Sequence, residues 1–311
     1  MKIIENLTSI SFKNAIVTSG TFDGVHFGHK KILDNLVNQA QSLGGESVVM
    51  TYWPHPRFVL GKDAGMLKLL NTFDEKARLL EDCGIDYLVK VLFTREFSQL
   101  TSQQFVQDVL IGKLNVRKLI IGYDHRFGRD QEGSFEYLSQ NQDKLGFQVE
   151  EIPRQDIDHV GVSSTRIRKA LEKGDVELAN EHLGWQYLLS GIVTKGEQLG
   201  RKIGFPTANI YVTDDFKLIP GDGVYAVTVK LKSGIFKGML NIGNRPTVNG
   251  HKKTIEVNIF DFDQDIYGQI IEVSFVKQLR KEQKFEGLVE LRQQLQIDKL
   301  NAIEAIKNIE V

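Results

Sequence analysis

The chain changes its folding grammar once. From residue 15 to residue 153, AIVTSG, SVVMTYW, YLVKVLF, KLIIGYD and FQVEEIP read as strands; KKILDNLVNQAQSLGG, DEKARLLEDCG, SQQFVQDVLIGKL and SFEYLSQNQDKLG read as the helices between them. The first helix places Ile32, Leu33, Leu36, Val37, Ala40 and Leu43 on one face and closes on glycine. Apolar strands alternating with helices predict a Rossmann-like, doubly wound parallel sheet. SSTRIRKALEKGDVELANEHLG continues as helix with a break at Gly174, ending a first domain over 1–184. Past Gly184 the runs are strand-like and turn-separated: YLLSGIVTKG, TANIYV, GVYAVTVKLKSGIFKGMLNIG, KTIEVNIFDF and IIEVSFVKQL. They predict a closed antiparallel β-barrel over 185–311 that ends in a long helical tail.

Composition narrows the setting. A chain of 311 residues exceeds one small core, and its formal charge of −1 supplies no basic field for nucleic acid or membrane. An anionic substrate must therefore be gripped by a few local groups. The single cysteine, Cys83, excludes an internal disulfide and fits a reducing compartment. The first residues lack the charged-then-apolar plan of a secretion signal, and no apolar run is long enough to span a bilayer. A cytoplasmic protein is expected, a monomer or weak homo-oligomer with small-molecule partners.

The stretch TSGTFDGVHFGHKK carries the first chemistry. It follows a strand and opens a helix, with Gly20, Gly24 and Gly28 allowing a sharp turn and close approach of a bulky anion. The helix N-terminus offers free N–H groups to phosphate, and His26 and His29, three apart, can face the same spot. One histidine capping the helix while the other packs is the plain alternative. A metal site is the other, although no third ligand stands at suitable spacing. Three more stretches fit the same site: YWPHP with His55, IGYDHRFGRDQEG with Asp124 and Arg126, and SSTRIR with its hydroxyls and two arginines; read singly, the second is a solvated loop and the third a capped helix with a charged face.

Together these motifs resemble a known family. HFGH is similar to the H-x-G-H signature of the nucleotidyltransferases, which share their ATP site with class I aminoacyl-tRNA synthetases. GTFDGVHFGH, the PHP loop, the G-x-D-x-x-F-G segment and SSTRIR, in that order, resemble the FMN adenylyltransferase module of bacterial FAD synthetases. The resemblance implies ATP held by Gly20, Phe22, Asp23, Gly24, His26, Gly28 and His29, with Ser163, Ser164, Thr165, Arg166 and Arg168 on the triphosphate. By the same resemblance, FMN is expected to attack the α-phosphorus in line and release pyrophosphate, with His26 and His29 carrying the catalysis. His55, Asp124, Arg126 and Phe127 are implied at the flavin. The family usually has Phe after the Asp of the third motif, where this chain has His125.

The second half has its own chemistry. GRKIGFPTAN fits neither standard phosphate-loop pattern. Thr207 and Asn209, two apart on a strand, face one way and present oxygens suited to Mg²⁺. Glu256 alternates with Ile255 and Val257 and so points away from the apolar face, placed to serve as a base or simply to face solvent. GRKIGFPTAN, PGDGVYAV, GMLNIGNRPT, IEVNIFDFDQDIYG and the KFEGLVELRQQLQID tail resemble the riboflavin kinase module, a six-stranded barrel. That implies Gly200, Lys202, Gly204, Pro206, Thr207 and Asn209 at Mg–ATP, and Glu256 as base for the ribityl hydroxyl. The expected activity is bifunctional: riboflavin to FMN, then FMN to FAD, with ATP and Mg²⁺. A different H-x-G-H nucleotidyltransferase, or a flavin- or RNA-binding barrel on a degenerate nucleotide domain, are the competing readings.

Overall fold

The computed structural model describes residues 1–6, 11–61, 67–153, 161–196, 199–247 and 250–309. They form two compact units, Met1–Ser164 and Thr165–Val311.

In the first unit six strands, β1 (Lys2–Ile4), β2 (Ala15–Ser19), β3 (Ser47–Trp53), β4 (Tyr87–Leu92), β5 (Val116–Gly122) and β6 (Gln148–Ile152), run in the order β1-β4-β3-β2-β5-β6. Every pairing is parallel. β2 is buried along its whole length, because successive side chains feed opposite layers. Val17, Met50, Leu119 and Ile121 pack with Phe105, Leu110 and Leu138 on one face. Ile16, Val49, Leu88 and Ile120 pack with Leu33, Leu36 and Leu80 on the other. Those last three side chains come from α1 (Phe27–Ser42) and α3 (Phe73–Asp82), the helices expected there; the short α2 (Pro56–Leu60) lies between them. Two details differ from the sequence reading. KII at the N-terminus is an edge strand too short for an apolar pattern to reveal. FVQDVLI winds as a π-helix over Phe105–Ile111, with Gly112 N–H donating to the Gln107 carbonyl at 2.9 Å.

The second unit is a closed antiparallel barrel, β10-β11-β8-β7-β12-β9. Its strands are β7 (Leu188–Thr194), β8 (Ala208–Tyr211), β9 (Gly223–Leu231), β10 (Gly234–Thr247), β11 (Gly250–Ile259) and β12 (Ile270–Arg280). Tyr187, Tyr225 and Phe275 are fully buried in it, Tyr225 meeting Phe275 edge-on at 5.2 Å. The C-terminal helix Leu288–Ile306 lays Ala302 and Ile306 on Ala226, Met239 and Phe260. A buried carboxylate fastens it: Asp298 accepts from Arg280 Nε at 3.0 Å and from Arg280 Nη2 at 2.8 Å.

Contact groups the helices Ser164–Glu172 and Val176–Leu183, Ser164 apart, with the barrel strands. Gly221 N–H donates to the Leu171 carbonyl at 2.8 Å, and Asn180 Nδ2 donates to the Phe275 carbonyl at 2.8 Å. The break at Gly174 is enforced twice. Its φ is +83°, and a Cβ there would come within 2.2 Å of Gln278.

Candidate active sites

β2 pairs with β3 on one side and β5 on the other, so strand order reverses beside it. Open α/β sheets bind ligands outside the carboxyl ends of the strands at such a point. A cleft of about 650 Å³ opens there, lined by the end of β2, by Tyr52, by Phe93, Phe97 and Phe105, and by the loop after β5.

The glycine- and histidine-rich stretch forms the inner wall of this cleft. Phe22, Gly24 and Val25 all take positive φ (46°, 92° and 36°), a tight turn held from outside. Asp23 is buried and accepts from Leu70 N–H at 2.9 Å; Gly24 N–H donates to Asn71 Oδ1 at 2.9 Å. His26 caps α1, with Nδ1 accepting from His29 N–H at 3.4 Å. The capping alternative is therefore true of His26, and capping is also what aligns the pair. The two rings stack with centroids 3.7 Å apart and an interplanar angle of 13°. His29 lines the cleft with Gly20 and Phe22, whereas Gly28 is buried in the first turn of α1. Burial, then the charges of His26 and Lys76, hold the His29 imidazole well below its usual range. These surroundings favour the neutral ring.

The other expected residues fall unevenly. Asp124, Arg126 and Phe127 line the cleft, with Phe127 tilted against Phe105 at 5.3 Å. His125 lines it too and stacks on Phe127 at 6.1 Å; burial, then Arg126, lowers its pKa to about 4. His55 has a different place: it caps α2, its Nδ1 accepting from Arg57 N–H at 3.1 Å, and it is Pro56 and Leu60 that reach the cleft. Ser164 Oγ, with Ser163 just before it at the end of the first unit, donates to the Asp23 carbonyl at 2.9 Å. Thr165, Arg166 and Arg168 continue along the helix Ser164–Glu172 in the second unit. Sequence reasoning missed the aromatic wall of Tyr52, Phe93, Phe97 and Phe105. An aromatic at the end of β3 and another just past β4 were the available signal.

In the barrel, Asn209 on β8 and Glu256 on β11 are direct cross-strand partners. Glu256 is also opposite Asn241 on β10. Directly paired residues share a face, so the carboxylate stands between two amides. Thr207 Oγ1 donates to Glu256 Oε2 at 3.3 Å, which brings the three predicted residues together. Ile255, Val257 and Ile259 are buried, and Glu256 is half-buried, as the alternation implied. Gly200 is in the one-turn helix Leu199–Lys202, where a Cβ would meet the Phe205 carbonyl at 2.1 Å. Gly204 has φ +85°, and the Lys202 side chain lies outside the described residues. Pro206 and Thr207 line a second cleft of about 430 Å³ with Arg201, Phe262 and Tyr267.

Among the described residues no group of three or more His, Cys, Asp or Glu could hold a metal ion, and no helix is long and apolar enough to cross a membrane. Thr207, Asn209 and Glu256 instead offer neutral and anionic oxygens, the donor type that suits Mg²⁺ when phosphates complete its shell.

Known proteins match both parts of the chain. A family model for FAD synthetase matches residues 9–166, and one for riboflavin kinase matches residues 183–306. The chain is 38% identical over 300 residues to a bifunctional riboflavin kinase/FMN adenylyltransferase of Bacillus subtilis, covering 95% of this chain and 93% of that one. It is 39% identical over 302 residues to the protein of the same name from Haemophilus influenzae, covering 96% and 97%. A solved structure described as a macrolide-efflux protein from Streptococcus pneumoniae superposes with a TM-score of 0.87 and 32% identity over 99% of both chains. The efflux activity in that description has no counterpart in either matching family model.

Proposed function

The chain belongs to the family of bifunctional riboflavin kinases/FMN adenylyltransferases, and from that premise we propose which of its residues serve each reaction. It phosphorylates riboflavin to FMN and adenylylates FMN to FAD.

For adenylyl transfer, His26 and His29 with the N–H groups of the first turn of α1 hold the ATP phosphates. An in-line displacement at the α-phosphorus needs no covalent intermediate, so positioning and charge stabilisation carry it. Phosphate next to His29 favours the protonated ring that burial disfavours in its absence. His29 then donates to the oxygen on which charge develops. The aromatic wall and Phe127 receive the flavin ring, with Asp124 and Arg126 at the rim.

For the kinase, Glu256 accepts the proton of the ribityl hydroxyl as that oxygen attacks the γ-phosphorus. Asn209 and Thr207 orient the carboxylate. Thr207 and Asn209 would also hold Mg²⁺, which would supply charge neutralisation at the phosphates. The observation that carries the kinase assignment is the convergence of Asn209 on β8, Thr207 just before it and Glu256 on β11.

The test is chromatography of flavins after mixing the pure protein with riboflavin, ATP and Mg²⁺. FMN followed by FAD is expected; neither product would overturn the reading.

A further inference from the structure

Lys76 belongs to neither set of residues, yet among the described residues of the first unit it is the most deeply buried cation that the assigned chemistry leaves unused. It lies on the inner face of α3 beside Phe73, Ala77 and Leu80, with 2% of its surface exposed. Lysines are almost never placed this way without a partner, because burying an ammonium is costly. Its bonds run to neutral oxygens. Nζ donates to the Thr21 carbonyl at 2.7 Å and to Thr51 Oγ1 at 3.4 Å, and it sits 5.3 Å from the Trp53 ring centroid. Thr51 Oγ1 donates to the same Thr21 carbonyl at 3.3 Å. Asp23 acts on the ammonium only through its field, its Oδ1 accepting from Leu70 N–H. Burial lowers the Lys76 pKa to about 8, which leaves the charge in place at neutral pH.

The position of the bonded carbonyl gives this arrangement its meaning. Thr21 stands between Gly20 and Phe22, and all three line the cleft beside His29. A backbone carbonyl turned toward a phosphate would repel it, whereas one held by an ammonium is turned away and its charge is offset. Lys76 also acts on His29 directly, being one of the charges that keep that ring neutral.

We propose that Lys76 is a positioning residue for adenylyl transfer: it draws the Thr21 carbonyl out of the phosphate cradle, fixes the turn over residues 20–26 against β3, and sets a buried positive charge behind His29. This rests on the assignment of His26 and His29 to the ATP phosphates.

The experiment uses the full chain with Lys76→Met, Lys76→Gln and Lys76→Arg. FAD formation from FMN and FMN formation from riboflavin are measured side by side, and the His29 ring is titrated by proton NMR. Met and Gln are expected to lower kcat/KM for adenylyl transfer by about 100-fold, the scale of losing one preorganised electrostatic contact, with Arg restoring most of it. Riboflavin phosphorylation stays within about twofold in all three, since it is assigned to residues of the other unit. The His29 midpoint, whose charged neighbours are His26 and Lys76, moves up in Met and Gln and not in Arg. Wild-type adenylyl transfer in Lys76→Gln, which keeps a donor but no charge, would overturn the proposal, as would an unmoved His29 midpoint. Should Met fail to fold, Gln and Arg decide the matter alone. Failure of the wild-type chain to make FAD would sink the site assignment, while the His29 titration would still judge the coupling without turnover.

Discussion

Asn209 and Glu256 face each other across β8 and β11, and the hydroxyl of Thr207 reaches the same carboxylate at 3.3 Å. An amide, a hydroxyl and a carboxylate on one face of a barrel make a compact oxygen cluster. The amide and the carboxylate are fixed by strand pairing, which suits a base that must meet one hydroxyl in one orientation.

Glu256→Gln should therefore lower FMN formation from riboflavin by about 10²–10⁴-fold, the usual contribution of a general base. FAD formation from supplied FMN should be unchanged. Parallel assays of the two reactions on one preparation check this.

His29→Ala should do the converse. Adenylyl transfer falls by about 10²–10³-fold through loss of a preorganised donor, and FMN accumulates from riboflavin. If either single change removed both activities from a folded chain, the division of labour between the sites would be wrong.

Gly196→Ala tests the kinase cluster from behind. A Cβ at Gly196 would stand 2.1 Å from Asn209 Nδ2 and 2.8 Å from its Cγ, so the amide must move. Displacement of this order costs about 100-fold in rate when it disturbs reacting groups. The loss should appear in riboflavin phosphorylation alone.

Acid should weaken the first unit through His125. Its pKa is depressed on folding from 6.5 to about 4, so the unfolded chain binds more protons between those values. Stability then rises with pH from about 4 to 6.5 and is flat above, by at most about 3 kcal/mol across the window. His125→Phe removes this slope, leaving that of His29, whose depressed pKa acts in the same direction. Thermal unfolding measured across that pH range reads both.

Asp298→Ala should destabilise the second unit by about 3 kcal/mol, because it leaves the Arg280 guanidinium half-enclosed without its counter-ion. Denaturant unfolding followed through the barrel transition measures the loss. The adenylyl transfer rate should not change.

Much of this protein is determined locally. The strand and helix periods of the first unit, the turn residues of the barrel, and the order of the motifs are properties of neighbouring residues, so they survive in the sequence. So do the facing directions of Thr207, Asn209 and Glu256, because a strand alternates its side chains with period two. Their meeting across β8 and β11 is set by register between strands far apart in the chain, which no local period encodes.

The same distinction separates placements that a local pattern conveys from those that it does not. His26 and His29 lie within one helical turn, and their stacking needs only that turn. His55, at a strand edge in sequence, is occupied by capping α2. The wall of Tyr52, Phe93, Phe97 and Phe105 comes from separate segments, and only the parallel sheet brings them to one cleft. Lys76 is the sharpest case. In sequence it is one more charge in an amphipathic helix, and only the packing of α3 under the turn of residues 20–26 buries it against the Thr21 carbonyl. Local pattern fixes which way a side chain faces along its own element; what it faces depends on distant segments that only the folded chain brings together.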